Sequence, residues 1–382
     1  MTLSELIGMK WRIKNIWEYA GRNKDKIMKS KKILEIGPYP PPIGGVQMRM
    51  KALREYMLEL GYECILLNSG ESKRIKIPEC VDIQNPWDFV WKTFKYMTKG
   101  YVMHMHINGK SLNSIWMALY TQGLSALFCR RAFLTFHAGP KQQYFPKNKN
   151  VFLIIGYFLI FFFSKRIICN AQSVKEKIME YGINSEKIVP IQGFTMRYLQ
   201  FDEVKLSDEI EGFLQQHTPI LFSYICFWEE YTVDAFVDVI EKLRKSYPHI
   251  GIILVPRVDD GRENFVATIK KRKLNDIIYI SDNLSHDEFL TLLKRVTLCV
   301  RTPKDGISSS VLESIALGIP VVASECECRP PEAVIFRFGE RDDMLAKILY
   351  VLDNYEEIKS RLGLKVGVKD SLDEEIELLM AP

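Results

Sequence analysis

The sequence predicts an α/β protein of two Rossmann-like domains, each built on a parallel sheet, facing each other across a cleft. Three observations carry this. The chain has 382 residues, more than one typical domain of roughly 100–200 residues holds. Its 47% hydrophobic and 26% charged residues suit a globular protein with a sizeable core. Short apolar runs alternate with helical patterns in two separate series, the strand–loop–helix–strand order of a parallel sheet.

The first series, taken as residues 31–195, opens on KKILEIG (31–37), a buried strand. The loop PYPPPIGG, the helix VQMRMKALREYMLELG and the strand ECILLN follow. YVMHMHI (from Tyr101) is the next strand, 111–129 a helix, and RAFLTFH and KRIICNA are further strands. Residues 196–216 are polar and lack periodicity, which marks a linker. The second series, 217–365, runs PILFSYI, a helix, GIILVP, a helix at 261–273, IIYIS, a helix at 285–295, and TLCVRTP. DGISSSVLESIALGIPVVAS (305–324) then gives a polar loop, a helix and a strand. A tail, 366–382, completes the chain.

Net charge is +5, but residues 1–32 carry +6 and the other 350 sum to −1. The body is neutral as a whole, which argues against a nucleic-acid-binding face on it. Residues 1–30 form a basic arm whose Leu3, Leu6, Met9, Ile13, Ile16 and Trp17 lie near one helical stripe. Such a helix lies on anionic lipid or packs on the body. FLIIGYFLIFFF (152–163) is too short to span a bilayer, which takes about 20 residues. It is a core helix or a surface helix that meets the membrane. No signal peptide is visible. Eight scattered cysteines read as free thiols of a reducing, cytoplasmic compartment. Cys326-x-Cys328 lacks a second ligand pair nearby, so no metal site is assigned.

The chemistry-bearing stretches fall at strand ends, where ligands of such sheets bind. In GPYPPPIGGVQ, Gly44 and Gly45 sit where a helix begins; without Cβ atoms they let backbone approach a ligand, and a helix N-terminus favours an anion. In LTFHAGP, His137 lies just past a strand, placed to donate to a ligand or to cap local backbone. His104 and His106 alternate on their strand and share a face, as core or cleft-wall histidines or as a metal pair. After TLCVRTP, Asp305 and Gly306 lead into Ser308, Ser309 and Ser310, which offer N-caps to the helix beginning near Val311. Gly318 and Pro320 end it. The loop and helix start form a phosphate cradle. Glu313, in the first turn, reaches ligand hydroxyls.

Asp305-x7-Glu313 followed by ALGIPVVAS resembles the E-x7-E signature of retaining GT-B glycosyltransferases of the family 4 type. GPYPPPIGGVQ resembles that family's N-terminal glycine loop and FHAG its T-x-H-G segment. SKRIICNAQSVKEKIMEYGINSEKIVPIQGF resembles the exit of its first domain, and RTPKDGISSSVLES with ECRPPEAVIF a bacterial polysaccharide-synthesis branch. The likeness covers roughly 31–350. It implies the GT-B fold and a nucleoside-diphosphate sugar, such as a UDP-sugar, as donor substrate, with no cofactor. It also implies that Glu313 holds the ribose, Asp305 the hydroxyls of the transferred sugar, and Ser309, Ser310 and Val311 the diphosphate. Gly44 and Gly45 would approach the donor, and His137 would contact the sugar near the reacting carbon.

Two departures stand out. The first carboxylate is Asp305, not Glu. And LFSYICFWEEYTVDAFVDVI (221–240) lacks the Arg and Lys that neutralise the leaving diphosphate in the family; Arg257, Arg301 and Lys304, after other strands, are the candidate replacements. The expected function is transfer of a hexosyl-type sugar, with retention, to a lipid-linked or oligosaccharide acceptor in surface-polysaccharide synthesis, at the inner face of the membrane. A non-catalytic nucleotide-sugar-binding subunit and a GT-B-fold epimerase are the alternatives.

Overall fold

The computed structural model describes residues 32–41, 44–139, 142–146, 150–227, 232–256, 261–282, 284–304, 308–327, 329–362 and 370–381. The N-terminal arm, Arg257 and Asp305 lie outside them.

The first sheet holds β1 (Lys32–Gly37), β2 (Glu63–Asn68), β3 (Val102–Ile107), β4 (Phe133–Phe136), β5 (Ile167–Cys169) and β6 (Ile188–Pro190). All are parallel, in the order β2-β1-β3-β4-β5-β6. Helices α1 (Gly45–Glu59), α2 (Pro86–Thr98), α3 (Leu112–Leu127), α4 (Val151–Phe163) and α5 (Gln172–Met179) join them. A short 3-10 turn (Met196–Leu199) and α6 (Asp208–Gln216) occupy the expected linker.

The second sheet holds β7 (Ile220–Ile225), β8 (Gly251–Pro256), β9 (Ile278–Ile280), β10 (Leu298–Arg301), β11 (Val321–Ser324) and β12 (Val334–Phe336). They are parallel too, in the order β12-β11-β10-β7-β8-β9. Helices α7 (Val233–Ser246), α8 (Arg262–Lys271), α9 (His286–Leu293), α10 (Ser309–Ala316), α11 (Arg341–Asp353) and α12 (Tyr355–Ser360) complete it. Strand order reverses between β1 and β3 in one sheet and between β7 and β10 in the other. Adjacent crossovers leave those points on opposite faces, which opens a crevice at the carboxyl ends. Two such parallel α/β units form the GT-B fold.

Alternation along the strands divides the first sheet cleanly. Leu34, Ile36, Met103, Met105, Leu134 and Phe136 face one side, packed with Phe89 of α2, Ile115 and Ala118 of α3, and Tyr157 and Phe161 of α4. Ile33 and Phe133 face the other, with Leu53 and Met57 of α1. Helix α4 is a core helix on one side and exposed on the other. Tyr157, Ile160 and Phe161 are buried, while Val151, Phe152, Ile155 and Phe162 are exposed.

The expected tail behaves differently. It contains α13 (Ser371–Met380), which returns to the first sheet and packs Leu372, Ile376 and Leu379 beside α1. Leu312 and Ala316 of α10 join that same cluster, so it spans both units. Acidic positions obscure the apolar stripe of α13 in the sequence, and one of them, Glu375, is wholly buried. It pairs with the buried Arg49 of α1, whose Nη1 also donates to Ser371 Oγ at 2.8 Å. Removing one partner of a buried ion pair costs about 3–5 kcal/mol, because the other charge is stranded. Arg49→Ala is predicted to destabilise the protein by that amount in urea denaturation. A loss under about 1 kcal/mol would show that the pair does not hold α13.

Candidate functional site

The carboxyl end of β10 delivers the chain to α10. Ser308 is its N-cap, extended and without a side-chain cap bond; its Oγ lies 2.7 Å from Ser310 Oγ. Ser314 Oγ donates to the Ser310 carbonyl at 2.6 Å, tightening the first turn. Val311 and Leu312 N–H donate to the Ser308 carbonyl at 3.1 and 3.4 Å, so the helix-start amides that suit an anion are those of Ser309 and Ser310. Ser310 and Val311 are buried, Val311 within the apolar cluster under the sheet; Ser309 is partly exposed.

Glu313 sits one turn further on. It is only 6% exposed, and burial pushes its carboxyl up to about 8. Among the described residues no side chain or backbone group is hydrogen-bonded to that carboxyl. A buried carboxyl without a protein partner is costly, and a perturbed acid at a strand-end crevice is a candidate for ligand contact.

Across the molecule, the side of the first sheet that faces α1 and α13 carries a buried polar cluster where apolar side chains are usual. Glu35 on β1 lies beside His104 and His106 on β3, with Glu35↔His104 directly paired in register. His104 Nδ1 is 3.0 Å from Glu35 Oε1, and its Nε2 is 2.8 Å from Thr135 Oγ1. Thr135 donates on to Glu375 Oε1 at 2.9 Å. His106 Nε2 lies 2.8 Å from Glu35 Oε2, and its Nδ1 is 3.0 Å from His137 Nε2.

The charges follow from these contacts. Burial would lower His104, but Glu35 outweighs it and raises it; burial also raises Glu35. The two share one proton, and Arg49 balances Glu375, so the cluster is neutral. Burial would raise Glu375, but Arg49 and His104 hold it below the usual carboxylate range. Burial keeps His106 neutral. Its proton sits on Nε2 toward Glu35, so Nδ1 accepts from His137. Burial, then the charge of Arg49, lowers His137 to about 3. It is a neutral imidazole with its proton on Nε2 and Nδ1 bare. Glu35, His104 and His106 bring ligand-type atoms within 4.8 Å of one another, but their hydrogen-bonding capacity is already matched within the protein.

The other expected residues that the structure describes lie near strand ends or helix starts. Gly44 is the extended N-cap of α1, without a side-chain cap bond, and a Cβ built on Gly45 meets nothing within 4 Å. Packing does not demand a glycine at 45, so the open space there is available to a ligand. Arg301 is buried, and its Nη1 donates to the Tyr224 carbonyl at 2.8 Å, tying β10 to the end of β7. Lys304 is half exposed and lies 3.6 Å from Glu325. Sequence reasoning passed over Arg329, whose Nε and Nη2 bond the Ser324 and Pro303 carbonyls at 2.9 and 2.8 Å and brace the ends of β10 and β11. It also passed over Arg49, Glu35 and Glu375; a charged residue inside an apolar strand, such as Glu35 in KILEIG, was the available signal. A cavity of about 390 Å³ lies between the units, lined by Lys51, Glu55 and Tyr198 from one side and Ser285, His286 and Asp287 from the other.

No protein-family model matches the chain. No curated protein matches it either. Solved structures do, at low identity. HepE of Anabaena in complex with UDP is 14% identical with a TM-score of 0.68, over 91% of this chain and 99% of that one. A glycosyltransferase from Rickettsia africae is 16% identical with a TM-score of 0.67, over 92% and 98%. A protein described as a putative UDP-N-acetylglucosamine 2-epimerase from Listeria monocytogenes is 13% identical with a TM-score of 0.58, over 91% and 95%. These likenesses establish the GT-B fold.

Glu313 also sets a sign for stability. Folded, it retains a proton between its ordinary value of 4.5 and about 8 that the unfolded chain has released. Stability from this group therefore falls as pH rises through that window. Glu313→Gln is predicted to flatten the pH profile of unfolding free energy between about pH 5 and 8. A profile unchanged from wild type would place the titration elsewhere.

Proposed function

We propose that the protein is a retaining glycosyltransferase that moves a hexosyl-type sugar from a nucleoside-diphosphate sugar to a lipid-linked or oligosaccharide acceptor. The observation that carries this is Glu313, a buried carboxyl with no hydrogen-bond partner among the described residues, one turn inside a helix that starts at the crevice. A vicinal diol such as ribose supplies the missing donors, and a diphosphate on the same ligand reaches the helix N-terminus. UDP as the nucleotide is supported by HepE, solved with UDP and with UDP-glucose.

In this reading Glu313 accepts from the ribose hydroxyls. The amides of Ser309 and Ser310 and the serine hydroxyls hold the diphosphate, the Val311 backbone, whose N–H also bonds the Ser308 carbonyl, lies at its edge, and Gly44 and Gly45 admit it from the first unit. Asp305 holds hydroxyls of the transferred sugar, and neutral His137 contacts that sugar near its anomeric carbon. Arg257 or Arg301 offsets the charge of the leaving diphosphate, which would otherwise cost several kcal/mol of transition-state stabilisation. The bond between anomeric carbon and diphosphate oxygen breaks. The acceptor oxygen bonds to that carbon on the same face, and its proton passes to the leaving diphosphate. No protein nucleophile takes part.

A second reading, a non-catalytic subunit that binds a nucleotide sugar, is favoured by the absence of Arg and Lys from 221–240. The epimerase neighbour of the same fold keeps a third in view. Incubation with a panel of nucleoside-diphosphate sugars and membrane lipid extract separates them. Nucleotide release with sugar on lipid or saccharide is predicted. Interconversion of the sugar on its nucleotide would support an epimerase, and binding without turnover a pseudo-enzyme. Ordinary hydrogen bonds contribute about 0.5–1.5 kcal/mol each, so Glu313→Ala, which loses both bonds to the diol, is predicted to weaken UDP binding about 10-fold in calorimetry. Unchanged binding would remove the ribose role.

A further inference from the structure

The neutral sum of the body hides a strong local asymmetry. Between Pro86 and Arg166 stand eleven Lys and Arg and a single acidic residue, Asp88. That acid is already paired with Lys92 at 2.8 Å. This stretch supplies α2, α3 and α4, which lie side by side on the face of the first sheet away from α1 and α13.

The outward sides of these helices are apolar rather than polar. Trp87 is 81% exposed, Trp91 64%, Leu127 82% and Phe152 86%, and Phe94, Leu112, Trp116, Phe128, Val151, Ile155 and Phe162 are exposed too. They run as stripes. Trp87, Trp91 and Phe94 follow helical spacing on α2, and Phe152, Ile155 and Phe162 on α4. Rings continue from helix to helix: Trp91 stacks on Phe94 at 6.2 Å, and Phe94 meets Phe128 edge-on at 5.9 Å. The four most exposed side chains alone present on the order of 600 Å² of apolar surface, the upper limit for an ordinary monomer. Exposed Lys95, Lys99, Arg130 and Arg131 border them. Helix α4, at 13 residues, is too short to cross a bilayer, and no described helix is long and apolar enough to do so.

Charge selects the occupant. The N-terminal arm, residues 1–30, carries +4, so it is repelled from this cationic face, as is the same face of a second copy. An anionic partner that also takes up indole, phenyl and aliphatic groups is required. Nucleic acid offers phosphates, but its contacts are mostly polar and leave Leu127, Val151 and Ile155 unused. A bilayer of anionic lipid offers both phases at once.

We propose that the outer face of α2, α3 and α4 docks the protein on an anionic lipid surface, with Trp87, Trp91, Trp116 and Phe152 in the headgroup–acyl boundary and the lysines and arginines at the phosphates. The arm is then an accessory rather than the anchor. This inference stands apart from sugar transfer, since vesicle binding is read without any donor.

The test is sedimentation of the full chain with phosphatidylcholine vesicles, with and without phosphatidylglycerol. Wild type is predicted to bind the anionic vesicles at least about 10-fold more tightly than the neutral ones. The combined variant Trp87→Ser, Trp91→Ser and Phe152→Ser is predicted to lose at least about 10-fold on anionic vesicles. These exposed substitutions leave the fold in place, checked by an unchanged melting curve. A second variant, Lys95→Glu with Lys99→Glu, is predicted to weaken anionic binding alone. Wild-type-like vesicle binding by the triple variant would overturn the proposal, as would wild type that ignores vesicles but binds an oligonucleotide or dimerises through this face.

Discussion

The fold turns on a buried, charge-balanced cluster between the first sheet and the pair α1 and α13. Glu35, His104, Thr135, Glu375 and Arg49 form one unbroken chain of contacts. Two carboxylates stay buried because one arginine and one shared proton neutralise them; either alone would be expelled or protonated. The last helix thereby becomes part of the first domain's interior. Leu312 and Ala316 of α10 rest on the same layer, so the helix that carries the candidate donor seat is fixed against the opposite unit. The cluster also reaches His137 through His106, which settles which imidazole nitrogen carries the proton.

The parallel strands and their order in the chain were legible from apolar runs and turn residues, because a strand buried on both faces reads as an uninterrupted apolar segment. ECILLN and GIILVP match β2 and β8 residue for residue. The loop–helix–strand unit around Glu313 was legible too, since serine N-caps, a terminal Gly318 and Pro320 bound it on both sides. Helix α2 was missed: its apolar residues face outward as well as inward, which blurs the periodicity. Helix α13 was missed because its buried acid, Glu375, reads as a surface residue until Arg49, more than 300 positions away in the chain, is brought beside it. Pairing of that range is invisible to local pattern.

Charge was the other place where a sum misled. A body near neutrality conceals a basic, aromatic layer on α2, α3 and α4 and an acidic remainder. One side of the first unit thus packs against α10 of the second, and the opposite side carries the exposed aromatic and basic layer.

The central claim is that the start of α10 holds a nucleoside diphosphate. Hydrogen exchange of the wild-type chain with and without UDP tests it most directly. Amides at 308–313 are predicted to exchange more slowly when UDP is bound, because the diphosphate supplies an acceptor at Ser309 and Ser310 and holds closed the turn in which Val311 and Leu312 already donate to the Ser308 carbonyl. Protection confined to other strand ends, with 308–313 exchanging as fast as before, would contradict it.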